Sequence, residues 1–104
     1  MSSYSSYKIL WTDYAFETVN AIVDYLRKDW SEREVNLFLD EIDRTVNAIR
    51  AFPKLFKASS KRKNVHLALI DKHSYLVYQI RSNKNQIVIL QFWSTQQNPG
   101  KLRY

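Results

Sequence analysis

Between Ser31 and Pro53 the chain carries its strongest folding signal. Val35, Phe38, Leu39, Ile42, Val46, Ile49 and Phe52 recur at the i, i+3, i+4, i+7 spacing that puts them on one face of a helix. Ser31-Glu-Arg-Glu34 has the form of a capping box, in which Ser and Glu side chains each satisfy a free N–H of the first turn. Pro53 cannot continue the pattern, because it lacks the N–H and its ring collides with the preceding turn. A long helix with one apolar stripe must bury that stripe against another layer, so the remaining segments have to supply one.

Upstream, Thr12 or Asp13 can cap a first helix whose apolar face is Ala15, Val19, Ile22, Val23 and Leu26, ending near Lys28. Asp29-Trp30 breaks the pattern, and so short a gap turns the two helices back on each other as an antiparallel hairpin. Residues 7–11, Tyr-Lys-Ile-Leu-Trp, alternate as a short strand. After Pro53 the period becomes extended. A lysine-rich connection over residues 54–64 has room for a short edge strand, and strands follow over 65–70, 75–80 and 87–93. Two short polar turns, Asp71-Lys-His-Ser74 and Ser82-Asn-Lys-Asn85, make these consecutive hairpins. The expected fold is α+β: a two-layer sandwich of N-terminal strand, antiparallel α-hairpin and C-terminal antiparallel β-meander, in the order βααβββ.

At 104 residues the chain suits one domain, set here at 7–104, with residues 1–6 as a disordered leader. It has no cysteine, which excludes disulfides and thiolate chemistry and fits a cytoplasmic protein. No apolar run approaches the roughly 20 residues that span a bilayer, so no membrane partner is expected.

Charge is distributed unevenly. Residues 1–52 hold six Lys/Arg against nine Asp/Glu, and residues 53–104 hold ten against one, so the halves carry −3 and +9. A basic C-terminal half suits an anionic partner, either nucleic acid or an acidic protein segment, or else forms a solvated basic face. Lys61-Arg62-Lys63 is the densest cluster, with Arg81 and Lys84 at another strand end, and Tyr75, Tyr78 or Trp93 could stack on bases if they are exposed. Tyr78 reads more naturally as a core residue. His66 and His73 lack metal-ligand spacing, and the only glycine is Gly100, so neither a metal site nor a phosphate-cradling loop is expected, and no cofactor.

Tyr7-Lys-Ile-Leu-Trp-Thr-Asp-Tyr-Ala15, Ala51-Phe-Pro53, Tyr75-Leu-Val-Tyr78 and Gln97-Asn-Pro-Gly-Lys-Leu102 fall in the order and spacing of the RelE/ParE toxin superfamily, which the chain resembles over nearly its whole length. The resemblance implies a toxin of a type II toxin-antitoxin system, also described as plasmid stabilisation. Its partner would be a cognate antitoxin, in a possible toxin-antitoxin hetero-oligomer. One branch of the superfamily cleaves messenger RNA on the ribosome and the ParE-like branch poisons DNA gyrase. Cleavage needs a base for the 2′-hydroxyl and cations for the phosphate transition state.

Here Tyr75 stands where the ribosome-dependent nucleases have a catalytic arginine, and Gln96 where a second arginine is usual. Glutamine supplies no fixed charge. The expectation is therefore a ParE-like toxin, non-enzymatic, acting on gyrase through Lys61, Arg62, Lys63, His66, Tyr75, Arg81, Gln96, Lys101, Arg103 and Tyr104. The alternatives are an endoribonuclease with His66 and Arg81 as catalytic groups, and a non-toxic module that represses transcription together with its antitoxin.

Overall fold

In the computed structural model, which describes residues 7–95, strand β1 (Lys8–Trp11) passes through Thr12 into helix α1 (Asp13–Leu26). Thr12 caps that helix, its Oγ1 accepting from the Ala15 N–H at 2.9 Å. Ala15, Val19, Ile22, Val23 and Leu26, the five positions expected on one face, are the buried ones. Helix α2 (Glu32–Ala51) opens with the capping box in place: Glu34 N–H donates to Ser31 Oγ at 3.3 Å and Ser31 N–H to Glu34 Oε1 at 3.0 Å.

Three of the expected core positions on α2 differ, Val46 being half-buried and Leu39 and Phe52 exposed. Leu39 is 37% exposed, whereas Thr45 is 8% exposed; its hydroxyl donates to the Glu41 carbonyl at 2.8 Å, so it can be buried with its donor satisfied. The buried stripe is thus Val35, Phe38, Ile42, Thr45 and Ile49. Phe52 is 65% exposed, because the residue before a proline is pushed out of the α region; its φ of −137° and ψ of 74° turn the side chain off the helical face.

Four strands follow: β2 (Lys57–Ala58), β3 (Val65–Leu69), β4 (Ser74–Arg81) and β5 (Gln86–Ser94), with a 3-10 turn over Ser82–Lys84. The short edge strand in the lysine-rich connection is β2. Sheet order is β1-β5-β4-β3-β2; β2 to β5 form the antiparallel meander, and β1 adds to β5 in parallel, with Lys8 opposite Gln86 and Trp11 opposite Ile89. Asn85, at φ 53°, takes the left-handed conformation that lets the 3-10 turn re-enter β5, and asparagine tolerates it better than most residues.

Both helices pack on one face of the sheet, over Ala68, Ile70, Leu76, Tyr78, Ile80, Ile87, Ile89 and Phe92. A β-bulge interrupts β5: Val77 opposes Gln91 while Tyr78 opposes Ile89, leaving Leu90 as the extra residue. Helix α1 ties this bulge down. Thr12 Oγ1 lies 3.1 and 3.0 Å from the Ile89 and Leu90 carbonyls, and Phe92 N–H donates to Thr18 Oγ1 at 2.9 Å. Among the described residues no helix is long and apolar enough to cross a membrane.

Candidate functional site

Helices cover one face of the sheet, so any surface for a partner on the sheet itself lies on the other. Alternation along β3 and β4 sends Leu67, Leu69, Tyr75, Val77, Gln79 and Arg81 to that outer face. The bulge at Leu90 reverses the phase of β5, so Gln91 and Trp93 join them although Ile87 and Ile89 point inward. Register then aligns Leu69, Tyr75 and Trp93 in one row across three strands. The Tyr75 and Trp93 rings lie 5.6 Å apart at 36°, a favourable offset for an aromatic pair. With Leu67 and the Lys57–Ala58 edge strand they line a cleft of about 430 Å³, whose charged lining residue is Lys57.

His66 occupies the opposite face. It sits across from Tyr78 in the β3–β4 ladder, its ring stacked on the Tyr78 ring at 5.5 Å, and it is 9% exposed. His66 Nδ1 is 2.9 Å from the Phe56 carbonyl; a carbonyl can only accept, so Nδ1 carries the proton. Tyr78 is fully buried, with Phe56 edge-on at 6.5 Å, and its hydroxyl donates to the Pro53 carbonyl at 2.6 Å. Burial pushes the Tyr78 hydroxyl well above the usual tyrosine range. These bonds pin the segment leaving α2 beneath the sheet. His66 therefore does not share a surface with Tyr75, and Tyr78 is the core residue that its sequence context implied.

The basic residues collect at one end of the sheet. Ser59 N–H donates to the Val65 carbonyl at 2.7 Å, and Ser59 Oγ accepts from the N–H groups of Lys61 and Arg62, which holds the Lys61-Arg62-Lys63 turn at the start of β3. Ile80 N–H donates to the Asn64 carbonyl at 2.8 Å, bringing Arg81 to the same end. Arg81 shares the outer face with Tyr75, but six residues along one strand separate them by about 20 Å. Gln96, Lys101, Arg103, Tyr104 and the 97–102 landmark lie outside the described residues, as does the 1–6 leader. Among the described residues no group of three or more His, Asp or Glu side chains is placed to hold a metal ion.

Comparison with known proteins gives a consistent family. The family model for the ParE toxin of the type II toxin-antitoxin system, parDE, matches residues 9–99. No curated protein sequence matches. Among solved structures, a chain of the chromosomal ParDE system from P. aeruginosa is similar, with TM-score 0.71 at 14% identity, covering 86% of this chain and 96% of that one. A chain of the RelBE-type toxin-antitoxin complex from Mycobacterium tuberculosis gives 0.60 at 14%, covering 86% and 99%. One from the intact E. coli RelBE complex gives 0.60 at 13%, covering 86% and 96%.

Proposed function

We propose a target for this chain, which belongs to the ParE toxin family of type II toxin-antitoxin systems. It is a toxin of the RelE/ParE superfamily, and its partner is a cognate antitoxin, as in the toxin-antitoxin complexes whose toxin fold it shares. Its target is DNA gyrase, which it inhibits by binding rather than by chemistry.

One observation carries this choice: among the described residues, the histidine and the arginine expected as catalytic groups do not meet, His66 lying under the sheet and Arg81 at the other end of the outer face from the Tyr75–Trp93 cleft. Cutting RNA requires a base within hydrogen-bond reach of the 2′-hydroxyl and a positive group on the phosphate, both at about 3 Å from the same few atoms. Here His66 is under the sheet, its Nδ1 committed to Phe56. Arg81 stands about 20 Å along β4 from Tyr75. Between them the face offers Leu67, Leu69, Tyr75, Trp93 and buried Val77, a surface suited to holding another protein through aromatic anchors. Plasmid stabilisation would follow from such a toxin outlasting its antitoxin.

Supercoiling of relaxed plasmid by purified gyrase tests the proposal. Added toxin should block supercoiling and accumulate linear plasmid, and antitoxin added first should prevent both. Unchanged supercoiling, together with toxin-dependent cutting of messenger RNA on ribosomes, would assign the chain to the nuclease branch instead.

A further inference from the structure

The cations at one end of the sheet form a line drawn from strands β1 and β4 and from the β2–β3 and β4–β5 connections. Lys8 opens β1 beside the β4–β5 turn, its N–H donating to the Asn85 carbonyl at 3.0 Å. Arg81 closes β4 opposite Gln86, and Lys84 sits in the 3-10 turn between them. Lys61, Arg62 and Lys63 occupy the β2–β3 connection, fastened to the start of β3 through Ser59 and Asn64. All six are exposed. From β1 to β3, four strands, the line extends about 14 Å. Of the ten Asp/Glu, nine lie in the first half of the sequence, and Asp71, the tenth, is in the β3–β4 turn at the other end of the sheet. The ion pairs described, Arg27–Glu32 and Arg44–Glu41, lie on the helical side.

What stands between these cations narrows the ligand. Residues 59–64 read Ser-Ser-Lys-Arg-Lys-Asn and 81–86 read Arg-Ser-Asn-Lys-Asn-Gln, so the line consists of cations and small hydrogen-bonding side chains with no aromatic or aliphatic residue among them. Tyr7, next to Lys8, packs against the core. Single-stranded nucleic acid is usually held by bases stacked on aromatic rings, and here the Tyr75–Trp93 pair lies at the opposite end of the outer face. Cations with serine and asparagine hydroxyls and amides suit the phosphates of a duplex, read through its backbone without base recognition.

We infer that this end of the sheet is a second binding surface, which holds duplex DNA by its phosphate backbone and adjoins the aromatic cleft at Ser59 and Ser60. The inference stands apart from the gyrase assignment. On a gyrase-DNA complex, however, it would let the toxin grip enzyme and DNA at once, with the cleft on protein and the basic end on the duplex.

Fluorescence anisotropy of a labelled 20-bp duplex, titrated with the purified full-length protein between 50 and 200 mM NaCl, tests this. With five or six phosphates contacted, log K should fall with log salt at a slope of about −5. Arg81→Glu with Lys84→Glu should weaken binding at least tenfold and make the slope shallower by about 2. Lys28→Glu with Arg33→Glu, the same charge change on the helical side, should alter affinity by less than about threefold. Equal losses from the two double variants would mean net charge rather than a site, and would overturn the inference. So would a wild-type slope shallower than about −2, or tighter binding of a 20-nucleotide single strand than of the duplex. Gyrase inhibition that persists in a variant no longer binding DNA would remove the basic end from the mechanism while leaving the target in place. DNA binding without gyrase inhibition would do the reverse.

Discussion

Tyr78→Phe removes a single hydroxyl from the best-packed ring in the sheet. The ring is fully buried between His66, stacked at 5.5 Å, and Phe56, edge-on at 6.5 Å, and the substitution leaves both contacts intact. What disappears is the 2.6 Å bond to the Pro53 carbonyl. A hydrogen bond of this kind contributes about 0.5–1.5 kcal/mol net, and a buried carbonyl left without a partner costs about 1–3 kcal/mol. Pro53 is only half-buried, so water can replace part of the bond, and the expected loss is about 1.5 kcal/mol. For a domain of this size that lowers Tm by about 9 °C.

The same hydroxyl predicts a pH signature. Burial raises its pKa in the folded state above the unfolded value of about 10. Its contribution is therefore complete below about pH 10 and is lost as pH rises toward the folded value, at up to about 1.4 kcal/mol per pH unit. Urea denaturation followed by tryptophan fluorescence, at pH 7 and again above pH 10, measures both. Wild type should be the more stable at pH 7 and should lose stability faster than the Phe variant in alkali. Equal midpoints at pH 7 would show that the hydroxyl is not bonded as described, and alkaline limbs that run parallel would show that it is not buried as described.

Other substitutions separate the folded framework from the binding face. Ser31→Ala should cost about 1 kcal/mol in urea denaturation by opening the capping box of α2, without changing toxicity per folded molecule. His66→Ala should cost about 2 kcal/mol through the lost stack and the lost bond to Phe56, yet leave toxicity intact at permissive temperature; abolished toxicity with unchanged stability would restore His66 as a reacting group. Tyr75→Ala with Trp93→Ala should weaken gyrase inhibition at least tenfold with little change in fold, as measured by supercoiling assay and circular dichroism.

Much of the framework was legible because it depends on local rules. Capping at Ser31, the stop at Pro53 and the five buried positions of α1 follow from spacing alone. Phe52 escaped the helical pattern for a reason the sequence also contains, the following proline, which outweighs an apolar side chain at the right interval. The parallel pairing of β1 with β5 was not legible, since nothing near Tyr7 specifies a partner almost eighty residues away.

The face of each strand was harder still to read. Val65 to Leu69 is apolar on both sides, so alternation gives His66 no side of its own. In β5, counting by twos from Ile87 would place Gln91 and Trp93 in the core. Only the extra residue at Leu90, held by Thr12 and Thr18, turns them outward and creates the Tyr75–Trp93 pair. Aligning Lys8, Arg81, Lys84 and the 61–63 cluster likewise required the register of four strands.

The most direct test of the central claim is what happens inside a cell when the toxin is induced without its antitoxin, with chromosome integrity and full-length transcripts measured in the same culture. Inhibition of gyrase predicts arrested growth with double-strand breaks and loss of negative supercoiling, while messenger RNA stays uncut at early times. Intact, normally supercoiled DNA alongside messenger RNA cleaved within translated codons would contradict it.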